Sequence, residues 1–509
     1  MTQSNTNVTD FLLQGKPATR VALEFVDKNY SYGELRHAAL DIARYLRQTG
    51  GKKGDRVILI CDNSFFWVTA YLGILRAGLV CVPLAATLPS EDLGYVLELT
   101  EPQFAFLGAT FAARNQGHFQ NIQLVTDREV STHLPSARSL AEIRGQVPDG
   151  AESLPELGSP DLAALMFTSG STGRPRGVMV SHGNIVANTE SIIQYLNLTG
   201  DDRIMTVLPF HYCFGTSLLH THLKVGGSLV VDPRFMYPEK ILQRMLDTEC
   251  TGFAGVPSHF QILLRTSSLR KKMFPHLRYV QQAGGHLAPE FICELREALP
   301  HTEIFVMYGQ TEATARLSYV PPELLDKKLG SIGKGIPNVK LRVLNQSGEE
   351  VHPGEIGEIA AEGENVTLGY WHAPEETAAT FRGGMLFTGD LATVDDDGFI
   401  YVVDRAKEFL KCGGKRVSCR QLEDQLLEFD GLLEVAVVGV PDEVLGEAVK
   451  AFVVPRPPIA DGLESRLNLF CRQHLPPALV PKDIVMLECL PKNSAGKVLK
   501  SDLRALATT

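Results

Sequence analysis

The feature that most constrains the fold is an alternation of two hydrophobic periods along the first hundred residues. The stretch YGELRHAALDIARYLRQ carries apolar residues at helical spacing, on Leu35, Ala39, Ile42 and Leu46. Short apolar runs such as RVILIC and FAFL separate this stretch from further helical segments, and continuous runs of that kind are typical of strands buried on both faces. The alternation therefore predicts a mostly parallel sheet that is covered by helices on both sides.

A chain of 509 residues is too long for one hydrophobic core, and its pattern changes along the way. The alternation of strands and helices pauses at a polar, proline-containing stretch near residues 148–160 and then resumes. From about residue 328, short strands are broken by Gly, Asn and Asp, which is typical of antiparallel hairpins. We predict an α/β fold with a large N-terminal body and a small α+β C-terminal domain. The body comprises two packed α/β sheet subdomains (about 1–160 and 161–327) and a small β-barrel-like subdomain (328–403).

Charge and cysteine usage narrow the partners and the compartment. The formal net charge of −10 comes without a basic stripe, so we expect no nucleic-acid partner. The nine cysteines are scattered and form no C-x-x-C pair, which favours free thiols in a reducing compartment. The N-terminus lacks the order of a signal peptide, and no apolar run reaches the roughly 18 residues of a membrane span. We therefore expect a cytoplasmic protein without a membrane span.

A loop rich in Gly, Ser and Thr follows the apolar run LAALMF. Such a loop can turn successive backbone N–H groups and hydroxyls toward one concavity, as a phosphate group requires. A flexible linker is the alternative, but linkers seldom lie between a buried strand and a helix. The loop lacks the Walker A spacing. The predicted phosphate-binding residues are Thr168, Ser169, Gly170, Ser171, Thr172 and Gly173, with Arg174 and Arg176 at the rim.

The segment MFTSGSTGRPRGVMVSHGN resembles the phosphate-binding motif of the AMP-forming adenylating superfamily, which includes acyl-CoA synthetases, stand-alone adenylation domains and luciferases. In that family the motif usually ends Pro-Lys-Gly, whereas this chain has Pro175-Arg176-Gly177. The substitution keeps the charge but replaces a compact ammonium by a planar fork. The resemblance extends over nearly the whole chain because further motifs follow in the family's order.

The resemblance implies a nucleotide site. Tyr308-Gly309-Gln310-Thr311-Glu312 is similar to the family's Tyr-Gly-x-Thr-Glu, which implies Tyr308 near adenine, Thr311 on phosphate oxygens and Glu312 as a ligand of Mg²⁺. The remaining implied nucleotide contacts are Gly284 and Gly285 in the adenine and acyl-pocket wall, Asp390 on both ribose hydroxyls, and Arg405 on the ribose.

The C-terminal part resembles the family's mobile domain. The implied hinge spans 404–408 and contains Lys407, so the resemblance places the domain boundaries at 1–403 and 409–509. Lys497 matches the family's Gly-Lys loop, where its ammonium would bridge carboxylate and α-phosphate oxygens. Rotation about the hinge would then exchange Lys497 for the region of Lys411 and Gly414, which would admit a pantetheine arm.

The segment PFHYCFG (209–215) aligns with the part of the family that faces the acid. Relatives that activate amino acids carry Phe-Asp there, and the Asp pairs with the ammonium. This chain has Phe210-His211 and no acidic residue nearby, so an α-amino acid would bury an unpaired charge. The predicted acid pocket comprises His211, Tyr212, Phe214, Gly285 and Gly309, with His211 beside the carboxylate.

The expected reaction uses ATP and Mg²⁺ to convert a fatty or aryl acid into an acyl-adenylate with release of pyrophosphate. The acyl group then passes to the thiol of CoA, or to the phosphopantetheine of a separate carrier protein. An adenylate-forming amide synthetase and a stand-alone amino-acid adenylation enzyme remain alternatives. An oxygenase of luciferase type is a rarer one. A non-catalytic nucleotide-binding protein is disfavoured because Lys497, Glu312, Asp390 and Arg405 are all present.

Overall fold

The structure is a computed structural model that describes residues 7–129, 137–144, 154–169, 174–405, 409–412, 415–442, 445–459, 461–493, 496 and 498–507. The strands in these ranges are β1 Val21–Glu24, β2 Asn29–Ser31, β3 Arg56–Ile60, β4 Val80–Pro83, β5 Phe104–Leu107, β6 Gln123–Thr126, β7 Arg138–Ser139, β8 Leu162–Ser169, β9 Pro175–Ser181, β10 Arg203–Thr206, β11 Ser228–Val231, β12 Gly252–Gly255, β13 Tyr279–Gln282, β14 Glu303–Tyr308, β15 Ser318–Val320, β16 Lys334–Gly335, β17 Lys340–Leu344, β18 Gly357–Glu362, β19 Phe381–Arg382, β20 Met385–Val394, β21 Ile400–Arg405, β22 Phe409–Cys412, β23 Lys415–Ser418, β24 Leu432–Asp442, β25 Gly446–Pro455 and β26 Asp483–Met486. The α-helices are α1 Val8–Leu13, α2 Tyr32–Gln48, α3 Phe65–Arg76, α4 Ser90–Thr100, α5 Ala109–Arg114, α6 Leu140–Arg144, α7 His182–Leu196, α8 Cys213–Val225, α9 Pro238–Asp247, α10 Pro257–Thr266, α11 Pro289–Ala298, α12 Pro374–Thr380, α13 Cys419–Leu427, α14 Leu463–His474 and α15 Lys500–Ala507.

The predicted amphipathic helix is present as α2. It begins with a capping box, in which the Ser31 hydroxyl accepts from the backbone N–H of Glu34 and the Glu34 carboxylate accepts from the backbone N–H of Ser31 at 2.8 Å. The residues of its apolar stripe are all buried. The helix packs on α3, whose Trp67 is fully buried.

Two large sheets, both parallel in their central strands, make up most of the body, as the strand–helix alternation predicted. The first has the order β7-β6-β5-β3-β4-β8-β9, with only the β8–β9 pair antiparallel. The second has the order β16-β15-β14-β13-β12-β10-β11-β1-β2 and is parallel from β14 to β1. One continuous hydrophobic core combines side chains of both sheets with those of α2, α3, α7 and α8.

The two sheets exchange strands along the chain. The hairpin β1–β2, at the start of the chain, joins the second sheet because β1 pairs with β11. The strands β8 and β9, which follow residue 160, complete the first sheet through the pairing of β8 with β4. The predicted boundary at 160/161 therefore does not separate the sheets, because pairing partners are chosen in three dimensions and not by proximity in sequence.

The predicted β-barrel-like subdomain consists of antiparallel strands in the order β17-β18-β20-β19, with β21 also pairing with β20. Within the residues that the structure describes, these pairings form an open five-stranded sheet and no pairing closes a barrel. The long strand β20 accounts for the arrangement, because it pairs with β19 along its first residues and with β21 along its last.

The C-terminal domain is a five-stranded mixed sheet with helices on both faces. The strands lie in the order β23-β22-β25-β24, and β26 adds to β25 in parallel. The helices α13 and α14 cover one face and α15 covers the other. The predicted fold class, a large α/β body followed by a smaller α+β domain, is confirmed. Among the described helices, none is long and apolar enough to cross a membrane.

Candidate active site

A cavity of about 340 Å³ lies between the N-terminal body and the C-terminal domain. The loops after β13 and β14 reach it because the carboxyl ends of parallel strands meet at one edge of a sheet. The residues that line it include Gly284, Gly285, Tyr308, Gly309, Asp390 and Asp404 of the body and Arg420, Glu423, Lys492, Gly496 and Val498 of the C-terminal domain. Motif residues from distant parts of the sequence thus face one space.

Two of the predicted glycines are required by the backbone geometry. Gly284 has a φ of +84°, which an L side chain rarely adopts. A Cβ atom on Gly309 would lie 2.0 Å from the carbonyl oxygen of Ala315, so only glycine fits between the loop and the segment behind it.

The predicted adenine and ribose residues are directly connected. The Tyr308 hydroxyl donates to a carboxylate oxygen of Asp390 at 2.5 Å. Asp390 lies on β20, opposite Arg405 of β21 in the antiparallel register. The strand pairing therefore brings the FTGD and DRAKE motifs side by side, although the Arg405 side chain lies outside the described part of the structure.

The phosphate loop joins two antiparallel strands. Thr168 pairs with Arg176 and Ser169 with Pro175 in the β8–β9 register. The predicted residues Gly170, Ser171, Thr172 and Gly173 lie outside the described residues.

Arg176 is connected to the predicted metal ligand through a tyrosine. Its guanidinium lies 4.8 Å from the ring centre of Tyr370, and the Tyr370 hydroxyl donates to Oε1 of Glu312 at 2.8 Å. Burial, together with the neighbouring Glu312 carboxylate, raises the pKa of Tyr370, so the hydroxyl keeps its proton and donates. A carboxylate that is oriented in this way fits Mg²⁺, which prefers hard oxygen ligands.

The Gly-Lys loop of the C-terminal domain lies at the cavity. Gly496 packs so closely on the body that a Cβ atom there would lie 3.1 Å from a methyl carbon of Val256. Lys497 lies outside the described residues, but its neighbours Gly496 and Val498 line the cavity. Lys411, in contrast, is exposed on β22 and does not line the cavity. The predicted residues Lys407 and Gly414 also lie outside the described residues.

The acid-facing segment is anchored beside the YGQTE loop. The side chain of Asn63 accepts from the backbone N–H of Phe210 at 2.8 Å, and the Thr311 hydroxyl contacts the thiol sulfur of Cys213 at 3.6 Å. Burial lowers the pKa of His211 to about 4, so its imidazole is neutral near pH 7. Gly285 and Gly309 line the cavity, whereas His211, Tyr212 and Phe214 lie outside its described lining.

The C-terminal domain is held in this position by a polar contact that the sequence did not indicate. His286, in the loop after β13, contacts Asp424 of α13 at 2.9 Å through Nε2, and its Nδ1 contacts the Arg420 guanidinium. Burial, and secondarily Arg420, lowers the pKa of His286. A neutral ring that accepts from Arg420 and donates to Asp424 satisfies both contacts.

Sequence reasoning also missed single residues outside the motifs. Tyr370 and Asn63 carry no signal beyond their residue type. Arg316 does carry a signal in the sequence, because it is a charged residue within the otherwise apolar and small-residue run ATARLSYV.

Comparison with known proteins agrees with this geometry. A family model described as AMP-binding enzyme matches residues 13–371, and one for the AMP-binding enzyme C-terminal domain matches residues 421–497. The feruloyl-CoA synthase of Amycolatopsis sp is 32% identical over 482 residues, which cover 93% of each chain. The long-chain-fatty-acid–CoA ligase of Salmonella typhimurium is 31% identical over 510 residues, covering 93% of this chain and 89% of that protein.

Solved structures extend the agreement to the whole chain. The structure of the O-succinylbenzoate coenzyme A synthetase of Bacillus subtilis, in complex with ATP and magnesium ion, has a TM-score of 0.84 and 26% identity. The match covers 98% of this chain and 99% of that one. The resemblance seen in the motifs is thereby confirmed, and the chain belongs to the family of AMP-binding enzymes.

Proposed function

We propose that the protein is an acyl-CoA ligase that uses ATP to activate a fatty or aryl carboxylic acid. The observation that carries the proposal is one cavity at which the loop with Gly284 and Gly285, the YGQTE loop, Asp390 and the Gly-Lys loop meet. A nucleotide and an acid have to meet at one point for the first step of this reaction, and the lining combines Tyr308 and Asp390, implied for the nucleotide, with Gly285 and Gly309, implied for the acid.

The chemistry requires positioning more than covalent catalysis. A carboxylate oxygen attacks the α-phosphorus of ATP, the bond to pyrophosphate breaks, and an acyl-adenylate forms. The sulfur of CoA then attacks the acyl carbon, AMP leaves with the electron pair of the broken bond, and the thiol proton passes to solvent. Rate acceleration comes from holding these groups in line and from stabilising the charge on the transferred phosphoryl group.

Each site residue has a defined role in this proposal. Asp390 would bind the ribose hydroxyls, Tyr308 would contact the adenine, and Thr311 would donate to phosphate oxygens. Glu312, oriented by Tyr370, would hold Mg²⁺, which neutralises phosphate charge when it is bound. Lys497 would donate to the carboxylate and α-phosphate oxygens during the first half-reaction.

The nature of the acid follows from the charges around the acid-facing segment. Residues 209–215 contain no carboxylate, and the buried imidazole of His211 is neutral at physiological pH. An α-ammonium would therefore be buried without an anion, at a cost that a fatty or aryl acid avoids.

We assign the acceptor as CoA, which is the acceptor named for the related long-chain-fatty-acid–CoA ligase and feruloyl-CoA synthase. In the position that the structure records, the Gly-Lys loop faces the cavity and Lys411 does not. This arrangement suits the first half-reaction, and rotation about 404–408 would present the 411–415 region for the second. We also infer a cytoplasmic location, which the absence of disulfides among the described residues supports.

The test is ATP–pyrophosphate exchange over a panel of fatty, aryl and amino acids, followed by product analysis with CoA, a phosphopantetheinylated carrier protein and simple amines. Exchange with fatty or aryl acids and a thioester with CoA are expected. A thioester formed only on the carrier, or an amide formed in place of a thioester, would replace CoA by that acceptor.

Lys497→Ala tests the role of the Gly-Lys loop. Loss of one charge-stabilising donor is expected to slow exchange by about 100-fold or more, while transfer from a preformed acyl-adenylate to CoA stays nearly unchanged. Lys482→Ala is the matched control, because Lys482 pairs with Asp442 on the same domain and does not line the cavity. Equal exchange rates in both variants would contradict the mechanism.

A further inference from the structure

Arg316 is a buried cation that has no carboxylate paired with it among the residues that the structure describes. The residue is 1% exposed, and its guanidinium carbon lies 4.0 Å from the ring centre of Phe214. Its Nε donates to the sulfur of Met307 at 3.4 Å, and its Nη2 is buried with no hydrogen-bond partner among the described residues. The groups that act on it most strongly after burial are Tyr195 and Cys213, neither of them a carboxylate.

Such an arrangement is unfavourable in the empty protein. Burial lowers the pKa of Arg316, but a guanidinium stays protonated at any physiological pH. Buried charges in folded proteins are nearly always paired, and an uncompensated one destabilises the protein more than an apolar side chain of similar size would. A guanidinium with an unused N–H in a protein interior is therefore suited to bind an anion that the protein itself does not contain.

The position of Arg316 connects it to the acid pocket. A Cβ atom on Gly309, which lines the main cavity, would lie 2.8 Å from the Cα atom of Arg316, so this residue lies directly behind the loop. Phe214, which stacks on the guanidinium, belongs to the acid-facing segment, and Met307 lines the main cavity.

A second cavity lies next to this residue. It has a volume of about 20 Å³ and is lined by Thr314 and Ala315, which precede Arg316, and by Cys213 and Thr216 of the facing helix. This is room for about one water molecule. Apolar side chains, among them Met166 and Val180, complete the lining, and Arg316 itself follows the lining residues Thr314 and Ala315 without being part of it.

We propose that the acid activated by this enzyme carries a second carboxylate, which pairs with Arg316. The inference rests on the proposed function and names its substrate class. The first carboxylate would lie at the Thr311 end, where the phosphoryl transfer takes place, and the second would accept from the guanidinium fork. Cys213, which contacts Thr311, directly precedes Phe214, on which the guanidinium stacks, so the two ends of the site are close and the diacid is short.

Other substituents fit the site less well. A hydroxyl or keto group could accept from the free N–H but would leave the buried charge uncompensated. An ammonium would add a second positive charge. A plain alkyl or aryl group would leave the charge of Arg316 uncompensated, as it is without substrate. A guanidinium pairs with a carboxylate through two parallel hydrogen bonds, which gives geometric specificity as well as affinity.

The test compares ATP–pyrophosphate exchange with matched acids, namely malonate to adipate against propionate to hexanoate, and phthalate against benzoate. The wild-type protein is expected to favour the best diacid over its matched monoacid by on the order of 100-fold in kcat/KM, because a buried group built to pair with a substrate rejects the analogue that lacks the partner. Exchange with monoacids that equals or exceeds exchange with diacids would overturn the inference and leave the proposed function intact. Absence of exchange with every acid would overturn both.

Arg316→Met and Arg316→Lys separate a specificity role from a structural one. Arg316→Met is expected to abolish the preference for diacids while keeping exchange with monoacids, and Arg316→Lys, which keeps the charge but not the fork, should retain about a tenth of the preference. The unfolding temperature of Arg316→Met without ligand should be unchanged or higher, because an unpaired buried charge is removed. A clearly lower unfolding temperature would show that the guanidinium is a structural group and would overturn the inference.

Discussion

Tyr370 is the residue through which the phosphate-loop hairpin and the predicted metal ligand are coupled. Its ring lies against the Arg176 guanidinium while its hydroxyl donates to Glu312. Arg176 stands where the family usually has lysine, and a planar guanidinium can stack on a ring in a way that an ammonium cannot. The arginine that replaces the family's usual lysine is therefore accompanied by an aromatic ring, that of Tyr370, on which its guanidinium stacks.

Tyr370→Phe is expected to raise the Mg²⁺ concentration that the reaction requires. The ring that packs on Arg176 is kept, but the hydrogen bond that orients Glu312 is lost, and the loss of such a supporting contact typically lowers metal affinity by about 10- to 100-fold. The measurement is the Mg²⁺ concentration that gives half-maximal ATP–pyrophosphate exchange.

Tyr401→Phe is the control for this prediction, because the Tyr401 hydroxyl also donates to a carboxylate, that of Asp395, at 3.2 Å, and neither residue lines the cavity in the described structure. The same Mg²⁺ requirement in wild type and both variants would show that Tyr370 does not act on the metal site.

At this scale the sequence predicted the residues that belong to motifs and missed those that act on them. Tyr308 and Asp390 were identified because their segments resemble the family's, and the structure brings them within 2.5 Å. Tyr370 and Arg316 were missed because their importance comes from what they contact after folding. The charge of Arg316 within an apolar run marks the residue as unusual, but a local pattern does not show what the side chain contacts.

The helix α13 is the element that ties the C-terminal domain to the body. Arg420 and Asp424, one turn apart on this helix, both contact His286 of the body. Since the contact crosses the domain interface while the Gly-Lys loop faces the cavity, it stabilises the position that suits the first half-reaction.

Asp424→Ala is expected to slow adenylate formation by about 10-fold, because loss of a charge-assisted hydrogen bond shifts the domain equilibrium by roughly that factor. Thioester formation from a preformed acyl-adenylate should be unchanged or faster. Single-turnover measurements of the two half-reactions check this.

The matched control is Asp430→Ala, because Asp430 lies on the same domain in an exposed ion pair with Arg456. If Asp424→Ala slowed both half-reactions equally, the contact would be acting on the fold and not on the orientation of the domain.

Most individual elements could be predicted from the sequence, whereas their pairing could not. The runs RVILI and SLVV are strands, as predicted, because burial on both faces selects continuous apolar residues. The membership of β1 in the second sheet has no such signature. Hydrophobic periodicity determines that a segment is a strand, but the partner is selected by the packing of the complete body.

For the molecule as a whole, several buried histidines make stability depend on pH. His182, His220 and His222 are 0%, 5% and 0% exposed, and burial lowers their pKa from 6.5 to about 4, 3 and 4. Below pH 6.5 the unfolded chain binds protons that the folded protein does not, so folding becomes less favourable as the pH falls toward 4.

The free energy of unfolding is therefore expected to fall by up to about 1.4 kcal/mol per pH unit for each of these histidines between pH 6.5 and pH 4. Above about pH 7.5 these groups contribute no slope, because they are neutral in both states. Urea unfolding at pH 8, 6.5 and 5.5 measures the effect. His352→Gln, on the exposed surface, should leave the slope unchanged. A free energy of unfolding that stays constant down to pH 5 would contradict this account.

The exchange of strands between the two sheets has a consequence for biosynthesis. Leu23 pairs with Leu229, so β1 leaves the ribosome about two hundred residues before its partner strand does. At about 5–20 residues per second, that delay is on the order of ten to forty seconds. During this time β1 and β2 present apolar side chains and unpaired backbone groups, and the first sheet lacks its own last two strands until residue 181 has emerged. The N-terminal body therefore cannot assemble one sheet at a time as the chain is made. It has to close as a single unit late in translation, which makes the nascent chain dependent on protection from aggregation.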